Sequence, residues 1–224
     1  MLTLVESLSL AGDRAKQNDD ACGGGFSRAW VIDGATDLHD TPLTPSASDA
    51  AWFAHYLNAI LHGAEGGDLR ETVRDSVSAA GYAFKALTKE IVIERWRSPI
   101  ASLLFIEDFD GRVNGLDLGD CRMAALDASG ASWLIGGPED AADAEAKRAA
   151  QQTDADKPFL RREATIASLR ETRAMLNQEG AHWTACLDPA CAEHARGWTL
   201  DLARPAHLLL MTDGFSALVD RYRA

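Results

Sequence analysis

The 224 residues carry 34 acidic against 22 basic side chains, a formal net charge of −12. With 46% hydrophobic and 25% charged residues, the composition is that of one folded globular domain spanning 1–224, outside the low-hydrophobicity range of disorder. The negative balance disfavours binding to nucleic acid or to anionic membrane surfaces.

No run approaches the ~18 apolar residues of a membrane span, and Met1 to Leu10 lacks a basic leader, an apolar core and a small-residue cleavage site. A cytoplasmic location is expected. Four cysteines are too few for a disulfide scaffold and agree with a reducing compartment. The sequence carries no signal of oligomeric state.

In chain order, the leucines at 2, 4, 8 and 10 alternate imperfectly with polar residues and predict a strand, and Ala29 to Asp33 predicts a second one halted by Gly34. Gly12 to Gly25 is a polar, Gly-rich connection; Gly23-Gly24-Gly25 lacks the Gly-Lys-Ser/Thr ending of a phosphate loop and reads as a flexible turn. Ala50, Phe53, Leu57, Ile60 and Leu61 recur at helical spacing, and Asp68 opens a longer helical segment to about Trp96. After Pro99 the period changes. Ile100–Ile106, Val113–Leu118, Arg122–Leu126 and Ala131–Ile135 are short runs separated by Asp-Gly, Gly-Asp and Ser-Gly turns, which predict an antiparallel meander. Helical patterns at Glu139 to about Gln152 and Glu163 to about Glu179 precede a buried strand, Leu208–Thr212, that ends at Asp213-Gly214. Strands, helices, strands and helices again predict an α+β layered domain, not the strict alternation of a parallel sheet.

Acidic residues stand where polar turns meet apolar strands: Asp19-Asp20, Asp33-Gly34 and Asp213-Gly214. Carboxylates from separate strand ends can hold hard divalent cations, and a pair of these can activate water for displacement at phosphorus; taken singly, Asp-Gly pairs are ordinary turns.

The order of the segments adds to this. Gly12–Ala21, Val31–Thr36, Ser98–Ser102, Leu118–Arg122 and Leu208–Phe215 resemble, in sequence, the signature segments of the metal-dependent 2C-type protein serine/threonine phosphatases. Asn18-Asp-Asp-Ala is similar to that family's Asn-Glu-Asp-Ala, Gly119-Asp-Cys-Arg to its Gly-Asp-Ser-Arg, and Thr212-Asp-Gly to its Ser-Asp-Gly. The resemblance implies a four-layer α-β-β-α sandwich, two antiparallel sheets flanked by helices. It implies hydrolysis of phosphoserine or phosphothreonine in a phosphorylated protein partner by a metal-activated water at a dinuclear Mg²⁺ or Mn²⁺ site. Asp33 would bridge the metals, Gly34 would lend its carbonyl, Asp213 would bind one metal and Asp19 would replace a glutamate on the other. Asp20 would hold metal-bound waters, Asp120 would bind a third, weaker metal, and Arg14 would grip the phosphate.

There are departures. Asp19 is one methylene shorter than glutamate, and Asp33-Gly-Ala-Thr36 offers no histidine acid. The family's last strand, with its metal-binding Asp, has no counterpart before Ala224, so the domain is expected to be C-terminally incomplete, with an exposed sheet edge. A catalytically impaired domain that binds or regulates phosphorylated partners is the alternative, and a phosphatase of small metabolites a weaker third reading.

Asp220 is the nominal substitute ligand, but a helix beginning near Phe215 carries it away from the strand end. His182, Cys186, Cys191 and His194 are metal-ligand types at a spacing unlike the standard zinc patterns. Cys22 and Cys121 read as small buried hydrophobes, and Trp30, Trp52 and Trp133 as core.

Overall fold

The structure, a computed structural model, describes residues 1–11, 17–64, 66–89, 91–137 and 163–222. Strands β1 (Asp20–Gly24), β2 (Arg28–Gly34), β3 (Ile100–Phe109), β4 (Arg112–Leu118) and β8 (Arg196–Asp201) form one antiparallel sheet in that order, and β7 (Ala185–Cys186) pairs with the start of β3. A second sheet has the order β6 (Ser132–Gly136), β5 (Arg122–Leu126), β9 (His207–Met211).

The larger sheet is buried on both faces. Trp30, Ile32, Leu103, Phe105 and Leu116 pack against α1 (Asp49–Gly63) and α2 (Leu69–Leu87) through Phe53, Leu57, Val73 and Val77. The alternate residues Val31, Leu104, Ile106 and Val113 meet Met123, Ala125, Ile135, Leu208 and Leu210 across the space between the sheets. Burial on two faces is why β2 and β3 read as continuous apolar runs and not as alternation. Ser48 and Asp68 cap the two helices, their side chains accepting from the first-turn N–H groups of Ala51 and of Arg70 and Glu71, as short polar side chains do at helix starts.

The two-sheet α+β expectation is met. Asp110 and Gly111, with φ of 51° and 79°, make the Asp-Gly hairpin between β3 and β4, whose two left-handed residues match the strand twist. On the far face of the small sheet Leu126, Leu134 and Leu209 are 48%, 46% and 49% exposed. Among the described residues, β9 pairs only with β5.

Several expectations are corrected. Met1 to Leu10 forms no strand: Leu2 packs at the inter-sheet core and its N–H donates to the Phe26 carbonyl, but Leu4 and Val5 are 80% and 88% exposed. Helix α2 ends at Leu87, not near Trp96: Lys89 takes φ of 51° and the β-branched run Ile91-Val92-Ile93, a poor helix former, lies outside any helix or strand. Gly23 and Gly24 lie inside β1 and are no flexible turn; a Cβ on Gly23 would stand 2.5 Å from the Trp30 ring. Strands β7 and β8 were not read from the sequence. The helical pattern 139–152 lies outside the described residues. Helix α3 (Glu163–Met175) ends short of Glu179, with Asn177 at φ of 57°, and α4 (Asp213–Tyr222) follows β9 directly.

Candidate active site

Strand register builds the site. Across the antiparallel ladders Asp20 stands opposite Asp33, and Asp33 opposite Ser102. These three share the parity of Cys22, Val31 and Leu104, so their side chains enter the space between the sheets, at its end. Asp120 arrives on the link that carries the chain from β4 in one sheet to β5 in the other, and Ser102 Oγ donates to its Oδ1 at 2.6 Å. Asp213 opens α4 just after β9, and its N–H donates to Asp33 Oδ2 at 3.2 Å. Carboxylates from both sheets thus converge on one end of the sandwich.

The electrostatics are those of crowded carboxylates. Burial, then the charges of Asp213, Asp20 and Asp120, push the Asp33 carboxyl up to about 9. Asp20 is raised by burial, against a hydrogen bond with Asp33 that lowers it. The wholly buried Cys121 thiol is pushed up by burial and by the same four carboxylates, which keeps it a thiol and not a nucleophile. No three of these acids bring an oxygen each within 4.8 Å of one another among the described residues; that closeness is found instead at Asp37, His39 and Asp49.

Asp19 lies at the margin. Its Oδ1 accepts from Ser48 Oγ at 2.7 Å, which draws it toward the start of α1, while its charge still acts on Asp20. The backbone is tight here: Gly34 N–H donates to the Asp19 carbonyl at 3.2 Å, and a Cβ on Gly34 would stand 2.4 Å from that oxygen. Gly119, at φ of 86°, lets Ser102 approach; a Cβ there would stand 2.3 Å from Ser102 Oγ.

The structure therefore brings Asp20, Asp33, Asp120 and Asp213 together, with Gly34 beside them and Asp19 turned aside. Arg14 and the side chain of Asp220 lie outside the described residues. Sequence reasoning missed Ser48, Ser102 and His55. His55 Nε2 donates to the Asn18 carbonyl at 3.0 Å and its field lowers Asp20. Only Ser102 had a sequence signal, as the end of the matched segment Ser98–Ser102. The suspected zinc quartet does not assemble: His194 stacks on Trp183, with centroids 3.5 Å apart, and Cys186 Sγ contacts the Asp188 carbonyl at 3.6 Å.

No protein-family model matches the chain, and no curated protein sequence matches it. Solved structures do. The catalytic domain of the serine/threonine protein phosphatase PstP, in complex with two manganese ions, superposes with a TM-score of 0.58 at 18% identity, covering 96% of this chain and 80% of that one. The Mycobacterium tuberculosis phosphatase PstP/Ppp gives 0.56 at 17% identity, covering 93% and 77%. A Streptococcus agalactiae (S. agalactiae) serine/threonine phosphatase gives 0.52 at 12%, covering 94% and 79%. At these identities the likeness establishes the fold, and the chain has the fold of the bacterial serine/threonine phosphatases.

Proposed function

We propose that this chain hydrolyses phosphoserine or phosphothreonine in a protein partner, using Mg²⁺ or Mn²⁺ held among Asp33, the Gly34 carbonyl, Asp213 and Asp19, with a weaker cation at Asp120. The carrying observation is the convergence of three carboxylates, Asp20, Asp120 and Asp213, on Asp33, whose own carboxyl is pushed up to about 9. Such a site has an all-oxygen donor set and excess negative charge, and it fits hard divalent cations. Its spread beyond ligand-to-ligand contact suits ions that keep several of their waters.

Bound cations would supply Lewis-acid stabilisation of the phosphoryl group and a more acidic water. The chain's own residues do the rest. Asp20 stands beside Asp33 to accept hydrogen bonds from ordered water, Ser102 fixes the rotamer of Asp120 by donating to it, and the Asp213 N–H orients Asp33. Arg14, which precedes β1 in sequence, is assigned to the substrate phosphate, where a planar fork binds two oxygens at once. The PstP structure with two manganese ions supports the choice of metal.

The alternative, a domain that binds phosphorylated partners without turnover, draws on one observation: the Asp19 carboxylate is engaged by Ser48. Hydrolysis of a phosphothreonine peptide with and without Mn²⁺ separates the two. Metal-dependent turnover that falls on the order of a hundredfold or more in Asp33→Asn supports the phosphatase. Binding of the phosphopeptide with no turnover in any metal overturns it in favour of the alternative.

A further inference from the structure

The loop between β2 and α1 folds around a second set of titratable side chains, distinct from the cluster at Asp33. Asp49, wholly buried at the start of α1, accepts from Leu43 N–H at 3.0 and 2.9 Å and from Thr44 N–H at 2.8 Å. Asp37 accepts from the N–H groups of Asp49 and Ala50 at 2.7 and 3.2 Å. Both carboxylates are thereby fixed in place by the backbone they cap.

His39 joins them. Its Nδ1 lies 2.9 Å from the Thr41 carbonyl, which only accepts, so Nδ1 carries a hydrogen. In the neutral ring the other nitrogen then presents a bare lone pair. That nitrogen, on a side chain 7% exposed, faces Asp49 Oδ2 at 3.5 Å. A lone pair held against a buried carboxylate is repulsive unless the ring takes a second proton or a metal cation binds both. One ligand atom from each of Asp37, His39 and Asp49 lies within 4.8 Å of the others. The hydroxyl of Thr44, whose N–H holds Asp49, is buried with no hydrogen-bond partner. Arg170 and Arg173 fix the loop backbone from outside, donating to the carbonyls of Leu38 and Thr36.

From this geometry we infer that Asp37, His39 and Asp49 bind one divalent transition-metal ion of the Zn²⁺, Co²⁺ or Mn²⁺ class, fastening the β2–α1 loop to the start of α1. One imidazole and two carboxylates are ligands that such borderline ions accept, and a backbone carbonyl on the far ring nitrogen is the usual way a ligating histidine is oriented. The ion is structural. It holds in place the segment that presents Ser48 to Asp19, and it takes no part in chemistry at Asp33, so the inference stands or falls separately from the proposed hydrolysis.

The test uses the full chain carrying Asp33→Asn, which disables the acid cluster, stripped of metal and titrated with Co²⁺ while visible absorption is followed. Expected are bands of nitrogen- and oxygen-ligated Co²⁺ that saturate at one equivalent and are lost when His39→Gln is added. Because that variant could be compromised in folding, the chain without substitutions is titrated with Zn²⁺ while the ring nitrogens are observed by NMR. The Nε2 resonance of His39 should shift while the hydrogen on Nδ1 stays. Bands that persist without His39, or an Nε2 that carries a proton Zn²⁺ does not displace, would overturn the site and leave an imidazolium clamp in its place.

Discussion

Gly34 has two jobs that a larger residue could not combine. It follows Asp33 at the end of β2, and an added Cβ would meet the backbone oxygens of Asp19 and Ala50 at 2.4 and 3.0 Å. Neither oxygen belongs to a side chain that could swing away, so β2 would have to retreat from both the Asp19 strand entry and α1. Gly34→Ala is expected to cost about 1–3 kcal/mol, the usual range for overpacking, read as a lower urea midpoint at unchanged slope. Asp33 itself should show the opposite sign. At pH 8 the unfolded chain ionises Asp33, whereas the folded chain, with that carboxyl pushed up to about 9 by burial and three neighbouring carboxylates, must take up a proton, so metal-free Asp33→Asn, which has no proton to take up, should melt above the parent at pH 8. A lower melting temperature there would mean that Asp33 is structurally required and not electrostatically strained.

Among the elements, β8 is the longer of the two strands that sequence reading missed. The reason is physical: beyond Val113, which stands opposite Leu200, the same face of β4 offers it no apolar side chain. It has instead Asp117, which is 2% exposed and is held by the Arg196 guanidinium, with Nε at 2.7 Å, and by the Trp198 indole N–H at 3.1 Å. Trp198 lies flat over Gly115, where any side chain would collide with its ring. The alternation of Trp198, Leu200 and Leu202 toward the inter-sheet core is short and, at Trp198 and Leu200, only partly buried, and so a weak signal, whereas β2 and β3 were legible as continuous apolar runs and α1 as a 3.6 period. The same contrast holds within the site. Asp33 and Asp213 could be found because their segments stand at apolar strand ends in an order that resembles a known family, but Ser102 needed the register of β3 and Ser48 the packing of α1. Arg196→Met should therefore destabilise the chain by about 1–3 kcal/mol, below the cost of breaking a fully buried pair because Arg196 is itself 47% exposed. Arg74→Ala, which removes the exposed pair with Glu193, should change the midpoint little.

For the molecule as a whole, the acid cluster ties stability to pH in a direction opposite to most carboxylates. The Asp33 carboxyl has its ordinary value near 3.8 in the unfolded chain and is pushed up to about 9 in the folded one. Between those two values the folded state binds more protons than the unfolded, so stability falls as pH rises through the window. The contribution is fully present below the ordinary value and lost as pH approaches the folded one. A cation that binds only the folded chain reverses this: it replaces the proton, adds its own binding free energy and stabilises most where the carboxylates are already ionised. Metal-free protein should thus lose melting temperature steadily from about pH 5 to pH 9, Mn²⁺ should restore more at pH 8.5 than at pH 5.5, and Asp33→Asn should flatten both trends. The measurement is a grid of thermal melts over pH and Mn²⁺ for the parent and the variant. Equal pH slopes in the two chains would show that the carboxylates around Asp33 neither repel one another nor gather a cation.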